Sequence, residues 1–123
     1  MRTVSTLALT PTDKALTLTC DDRDPESGNM SHDYEINCVL PDVPNIAVKL
    51  HFQHGPIAEH GVNGITNEAL LSIVRDRLEG AQEGKFRCRE NALAITAIEE
   101  ASLWLAKRTL DRMARGVEGR NEK

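Results

Sequence analysis

The feature that most constrains this chain is a change of hydrophobic period at Gly55–Pro56. Before it, apolar residues recur at every second position; after it, they recur at helical spacing. Leu16, Leu18 and Cys20 share one side of "ALTLTCDD", with threonines opposite. Tyr34, Ile36, Cys38 and Leu40 alternate in "DYEINCVL", and Ile46, Val48, Leu50 and Phe52 in "IAVKLHFQ". Such alternation predicts antiparallel strands with one covered and one wet face. "TVSTLALT" is a weaker fourth strand, while "TPTD", "DRDPESGNMS" and "PDVPN" carry turn residues.

Beyond the switch, Thr66 suits an N-cap and Glu68 falls in the first turn, where the helix dipole favours an anion. Leu70, Leu71, Val74 and Leu78 then keep helical spacing up to Gly80. Gly80 and Gly84 bracket a break, and a longer helix runs from near Arg89 to Asn91 as far as about Arg115, stopped by Gly116. Two helices joined by a short turn make an αα-hairpin. The expected fold class is α+β: a small antiparallel sheet over residues 1–54, a helical hairpin over 55–119, and a tail over 120–123.

The long helix carries more apolar surface than one partner covers. Leu103, Ala106, Leu110, Met113 and Val117 form one stripe. Ala94, Ile98, Ala101 and Leu105 form another, with Ile95 and Trp104 beside them. A shorter helix and a thin sheet cover one stripe, so the second predicts burial against another copy.

Charge narrows the partners. The net charge of −4 divides into −5 over residues 1–65 (four Lys/Arg, nine Asp/Glu) and +1 over residues 66–123 (eleven, ten). DNA binding needs a broad cationic surface, which this chain lacks; a small anion held by the second half fits. No apolar run approaches the roughly 18 residues of a membrane span, and "MRTVSTLALTPTDK" has no signal-peptide core, so an intracellular protein is expected. Cys20, Cys38 and Cys88 lack paired spacing and read as reduced thiols, the first two as small buried side chains.

Against that background "KFRCRENA" (85–92) stands out. The chain has only four aromatic residues, and this stretch sets Phe86 beside Arg87, Cys88, Arg89, Glu90 and Asn91 at the start of the long helix. Unpaired helix-start N–H groups attract anions, arginine grips phosphate bidentately, and a phenyl face stacks on a base. A solvated turn with Phe86 as an apolar staple is the alternative. Arg108, Arg112 and Arg115 share a face at i, i+4 and i+7, which suits either an anion or the helix dipole, with Asp111 pairing to Arg115. "HGVNGITNEAL" (60–70) brings Asn63, Gly64, Thr66 and Asn67 to another helix start, by default a capping loop.

Signals for catalysis and metals are poor. Cys88 has arginine neighbours, but no histidine is placed beside it as a base. His51 and His54 resemble a ligand pair, yet the strand register turns His51 to the wet face and no third ligand is clustered in sequence, with His32 and His60 in loops. No P-loop, nucleophile elbow or catalytic carboxylate pair occurs, so neither an enzyme, a metal site nor a cofactor is expected.

"GPIAEHGVNGITNEALLSIVRDRL", "KFRCRENALA", "WLAKRT" and "ARGVEG", in that order over residues 55–119, resemble the helical-hairpin domain of phage anti-defence nucleotide sponges. That family has an anti-CBASS branch, nearly the bare hairpin, and a Thoeris anti-defence branch with a β-stranded extension, to which residues 1–54 correspond in kind. The resemblance implies capture without cleavage of cyclic ADP-ribose-type signals (glycocyclic ADP-ribose) in the cytoplasm of an infected bacterial host. It implies homo-oligomers, dimers and up to hexamers, and for some members a second site for cyclic di- and trinucleotides. Carried onto this chain, the first pocket uses Phe86, Arg87, Arg89, Glu90 and Asn91. The second uses Asn63 and Thr66 with Arg108, Arg112 and Arg115 from neighbouring copies. The rivals are a hydrolase of such a signal and a protein-interaction module.

Overall fold

The structure is a computed structural model that describes residues 1–120, 122 and 123. Four strands form one antiparallel sheet in the order β1 (Arg2–Thr3), β2 (Leu16–Cys20), β3 (Asp33–Cys38), β4 (Ile46–His51). Helices α3 (Asn67–Gln82) and α4 (Arg89–Ala114) follow and pack as a hairpin. The α+β class expected from the change of period is the class observed.

The register explains why the alternation works. Leu18 faces Ile36, which faces Val48, and Cys20 faces Tyr34, which faces Leu50, so apolar residues line up across three strands. A slip of one residue would turn each strand's apolar set to the other face. The apolar face is nonetheless half open: Ile46 and Val48 are 52% and 45% exposed. The expectation of a covered face therefore fails within this unit, because no helix of the unit lies over β4. Cys38 is likewise only half-buried, whereas Cys20 is buried as expected.

Three local readings change. "TVSTLALT" (3–10) contributes only Thr3 to a strand, β1 being Arg2–Thr3. "TPTD" is the start of a helix, α1 (Pro11–Ala15), because Thr10 and Asp13 form a capping box and Pro11 supplies a preset φ. Phe52 lies beyond β4: its N–H donates to the His32 carbonyl, and its ring meets Tyr34 edge-on at 5.4 Å. A short helix α2 (Ile57–His60) follows the last strand.

The chain separates into two compact units, one of Met1–Gly55 with His60–Ile65, the other of Pro56–Glu59 with Thr66–Lys123. In the first, Ile65 runs parallel to the residues after β4, its N–H donating to the His51 carbonyl and its carbonyl accepting from Gln53. Gly64 allows that approach, since a Cβ there would lie 2.5 Å from the Phe52 carbonyl carbon. In the second, α4 outruns α3 by ten residues (26 against 16), roughly 15 Å at the helical rise. Gly116, at φ +73°, ends the helix as expected. Among the described residues Cys20 is the one buried apolar side chain, so the hairpin has no dry core of its own. No helix among the described residues is long and apolar enough to cross a membrane.

Candidate functional site

The α3–α4 turn is built around one brace. The half-buried Gln82, in the last turn of α3, donates from Nε2 to the Cys88 carbonyl (3.0 Å) and accepts the Cys88 N–H on Oε1 (2.9 Å). Cys88 is the N-cap of α4, its Sγ accepting from the Asn91 N–H at 3.4 Å. Asn91 closes the turn by donating from Nδ2 to the Phe86 carbonyl (3.2 Å). The backbone of residues 86–91 is thus fixed by Gln82 and Asn91, neither of which blocks its outer surface.

What the turn displays is an aromatic ring with cations. Phe86 is 68% exposed and is not an apolar staple. Lys85 Nζ lies 5.2 Å from its ring centroid, a cation–π contact that adds a third cation to the turn. Arg87, Arg89 and Glu90 are exposed, and no carboxylate pairs with either arginine among the described residues. The N–H groups of Arg89 and Glu90, first in α4, have no acceptor among the described residues. Two open N–H donors, two free guanidinium groups and an exposed ring suit an anion that carries a base. Gln82 and Lys85 were missed by the sequence reading; the adjacency of Lys85 to Phe86 was the available signal, but Gln82 has none without the turn geometry.

The second group of residues is placed differently. Thr66 is the N-cap of α3, its Oγ1 accepting from Ala69 (3.2 Å). Asn63, in the sheet unit, accepts the His54 N–H (2.9 Å) and donates to the His54 carbonyl (2.8 Å), mimicking a strand neighbour. Arg112 is buried: it bonds the Glu118 carboxylate at 2.9 Å and the carbonyls of Val117 (2.8 Å), Arg120 (2.9 Å) and Glu122. It ties the chain beyond α4 back to the helix. Arg115 is exposed and reaches the Lys123 carbonyl, and Arg108 is exposed. Asp111 pairs with Lys107 (2.7 Å) rather than with Arg115, the lysine being one turn N-terminal on the same face.

Elsewhere, a cleft of about 530 Å³ opens in the sheet unit. Asp21, Asp22, Asp33 and Glu35 line it against Lys49 and His51, a charge balance that repels a diphosphate. His51 bonds Asp33 at 2.6 Å and takes no part with His54. His54 instead joins His32 and Asp24, a grouping invisible in sequence because turns separate the three residues. The Asp24 carboxyl is held below its usual range, chiefly by a hydrogen bond from the Ser27 side chain; desolvation opposes this, and the Glu26 N–H and both histidines reinforce it.

An antiparallel sheet joined to a helical hairpin, whose inter-helix turn exposes Phe86 beside Lys85, Arg87 and Arg89, defines an α+β hairpin protein with a cationic turn. The family model "Acb2/Tad1, hairpin domain" matches residues 45–110, more than half of the chain, and the protein belongs to that family. Thoeris anti-defense 1 of Bacillus phage SBSphiJ7 is 55% identical over 74 residues, 60% of this chain. Those residues amount to 52% of that protein, so the chain spans about half the length of the curated relative it matches.

Proposed function

We propose that this protein is a phage anti-defence sponge: in the infected cell it binds cyclic ADP-ribose-type signals of Thoeris immunity and holds them uncleaved. Family membership and the likeness to a Thoeris anti-defense protein support the class. The observation that carries the ligand reading is the exposed Phe86 beside two unpaired arginines, on a turn locked by Gln82. In the bound state the ring stacks on the adenine, while Arg87, Arg89 and the first N–H groups of α4 take the diphosphate. Glu90 and Asn91 face the ribose hydroxyls.

Assembly as a homo-oligomer, a dimer or a larger ring, belongs to the same proposal. Leu103, Trp104, Leu110 and Met113 are 59–70% exposed, and the last ten residues of α4 extend past the length of α3. Leu103, Leu110 and Met113 share one stripe and Trp104 lies by the other. Large apolar side chains exposed on both mark an interaction surface that a second chain covers. Energetics point the same way. Nanomolar capture needs about −12 kcal/mol, more than a ligand of ~35 non-hydrogen atoms at about −0.3 kcal/mol per atom provides. Enclosure between two subunits is the route to the difference.

Capture of cyclic di- and trinucleotides at a second site has narrower support, since Asn63, Thr66 and Arg112 are engaged within their own chain and Arg108 is the residue left open for an anion. The test is native mass spectrometry with glycocyclic ADP-ribose, followed by heat denaturation and chromatography of the released ligand. Intact ligand recovered in stoichiometric amount is the expected result. A cleaved product would identify a hydrolase, and no retained ligand would leave the protein-interaction module.

A further inference from the structure

We propose that Asp24, His32 and His54 form a site in the sheet unit for one divalent transition ion of the Zn²⁺ class. None of the three is among the residues assigned to nucleotide capture. The ligand atoms are His32 Nε2, His54 Nε2 and Asp24 Oδ2, all within 4.8 Å of one another. Asp24 Oδ2 lies 3.3 Å from His32 Nε2 and 3.1 Å from His54 Nε2. Tetrahedral ligands at Zn distances of about 2.0–2.1 Å lie roughly 3.3 Å apart, so both pairs already have the spacing that an ion requires. Two imidazoles and one carboxylate suit Zn²⁺, Co²⁺ or Ni²⁺; Mg²⁺ and Ca²⁺ prefer all-oxygen sets.

Each ligand is anchored from outside the cluster. Asp24 Oδ1 accepts the Glu26 N–H (3.0 Å) in the turn Pro25–Ser27, leaving Oδ2 for the histidines. His32 donates its N–H to Asp21 Oδ1 (3.0 Å), and its carbonyl accepts from Phe52 (2.8 Å). Its imidazole is only 3% exposed, in contrast to the half-exposed His54. His54 is pinned through its backbone to Asn63. Such outer contacts orient metal ligands in general.

The rings are stacked, with centroids 4.0 Å apart and planes at 13°. Parallel rings aim their Nε2 atoms side by side, so an ion needs one ring to tilt. His54 is the half-exposed ring and is the one that tilts, while His32 stays in place. Water completes the fourth position on the open His54 side. Binding displaces the protons that the imidazoles otherwise share with Asp24, and it links three segments of a unit whose one buried apolar residue is Cys20.

The test uses the full-length, tag-free chain, stripped with chelator and titrated with Co²⁺. One Co²⁺ per chain, with tetrahedral visible absorption that Zn²⁺ displaces, is expected, together with a Zn²⁺-dependent rise in melting temperature reversed by EDTA. His54→Gln and Asp24→Asn, checked for retained fold by circular dichroism, should each weaken binding ~100-fold or more. Phe86→Ala should leave it unchanged. Absence of both the absorption and the melting shift overturns the site and identifies a hydrogen-bonded triad alone. Binding that survives both His54→Gln and Asp24→Asn overturns it too, placing the ion elsewhere.

Discussion

Phe86→Ala isolates the proposed capture step, because the structure separates its effects on folding and on binding. The side chain is 68% exposed, and the hydrogen bonds of the turn run through Gln82, Cys88, Asn91 and the Phe86 backbone, all of which an alanine keeps. Truncation at such a surface position should change stability by no more than about 0.5 kcal/mol. The ring's stacking on a base is worth about 1–3 kcal/mol. At 1.36 kcal/mol per tenfold, that predicts roughly 5- to 150-fold weaker binding of glycocyclic ADP-ribose. Calorimetry gives the Kd and a parallel thermal melt gives the stability; Phe86→Trp, which keeps a stacking face, should retain most of the affinity. An unchanged Kd for Phe86→Ala would refute the stacking role. Weaker binding accompanied by an equal loss in Phe86→Trp would refute it as well, since the aromatic face would then be irrelevant.

Gln82→Ala removes both hydrogen bonds that hold Cys88 and should cost about 1–2 kcal/mol in a thermal melt, with ligand affinity falling as the turn loosens. Arg112→Leu deletes the buried guanidinium that gathers Glu118 and three carbonyls, and should lower stability by about 2–4 kcal/mol, read by chemical denaturation. An unchanged midpoint would show that this tether does not stabilise the fold. Gly64→Ala sets a Cβ 2.5 Å from the Phe52 backbone, which cannot yield as a flexible side chain can, so a loss of about 2 kcal/mol or more is expected. Leu110→Glu discriminates assembly: the residue is 63% exposed, so a monomer should tolerate it, whereas an oligomer should dissociate in light scattering.

The sequence by itself makes three strands and both long helices legible, because period, caps and turn chemistry act over a few residues; the short helices α1 and α2 are not legible there. The alternation over 16–20, 34–40 and 46–52 became β2, β3 and β4, the last two ending at Cys38 and His51, and Thr66 and Gly116 mark the helix ends as their chemistry dictates. It also singled out the Phe86–Asn91 turn, since its residue types are odd for a connector. Tertiary structure decided what those residues touch. Arg112 has the sequence signature of a surface cation, but the chain beyond α4 folds back over it and supplies the carbonyls it binds. Asn63 reads as loop, until a parallel return beside β4 makes it a strand mimic. His32, His54 and Asp24 are dispersed along the chain and meet only because the register brings their turns to one end of the sheet. Local pattern fixes which backbone shape each segment prefers; long-range pairing alone fixes which side chains converge.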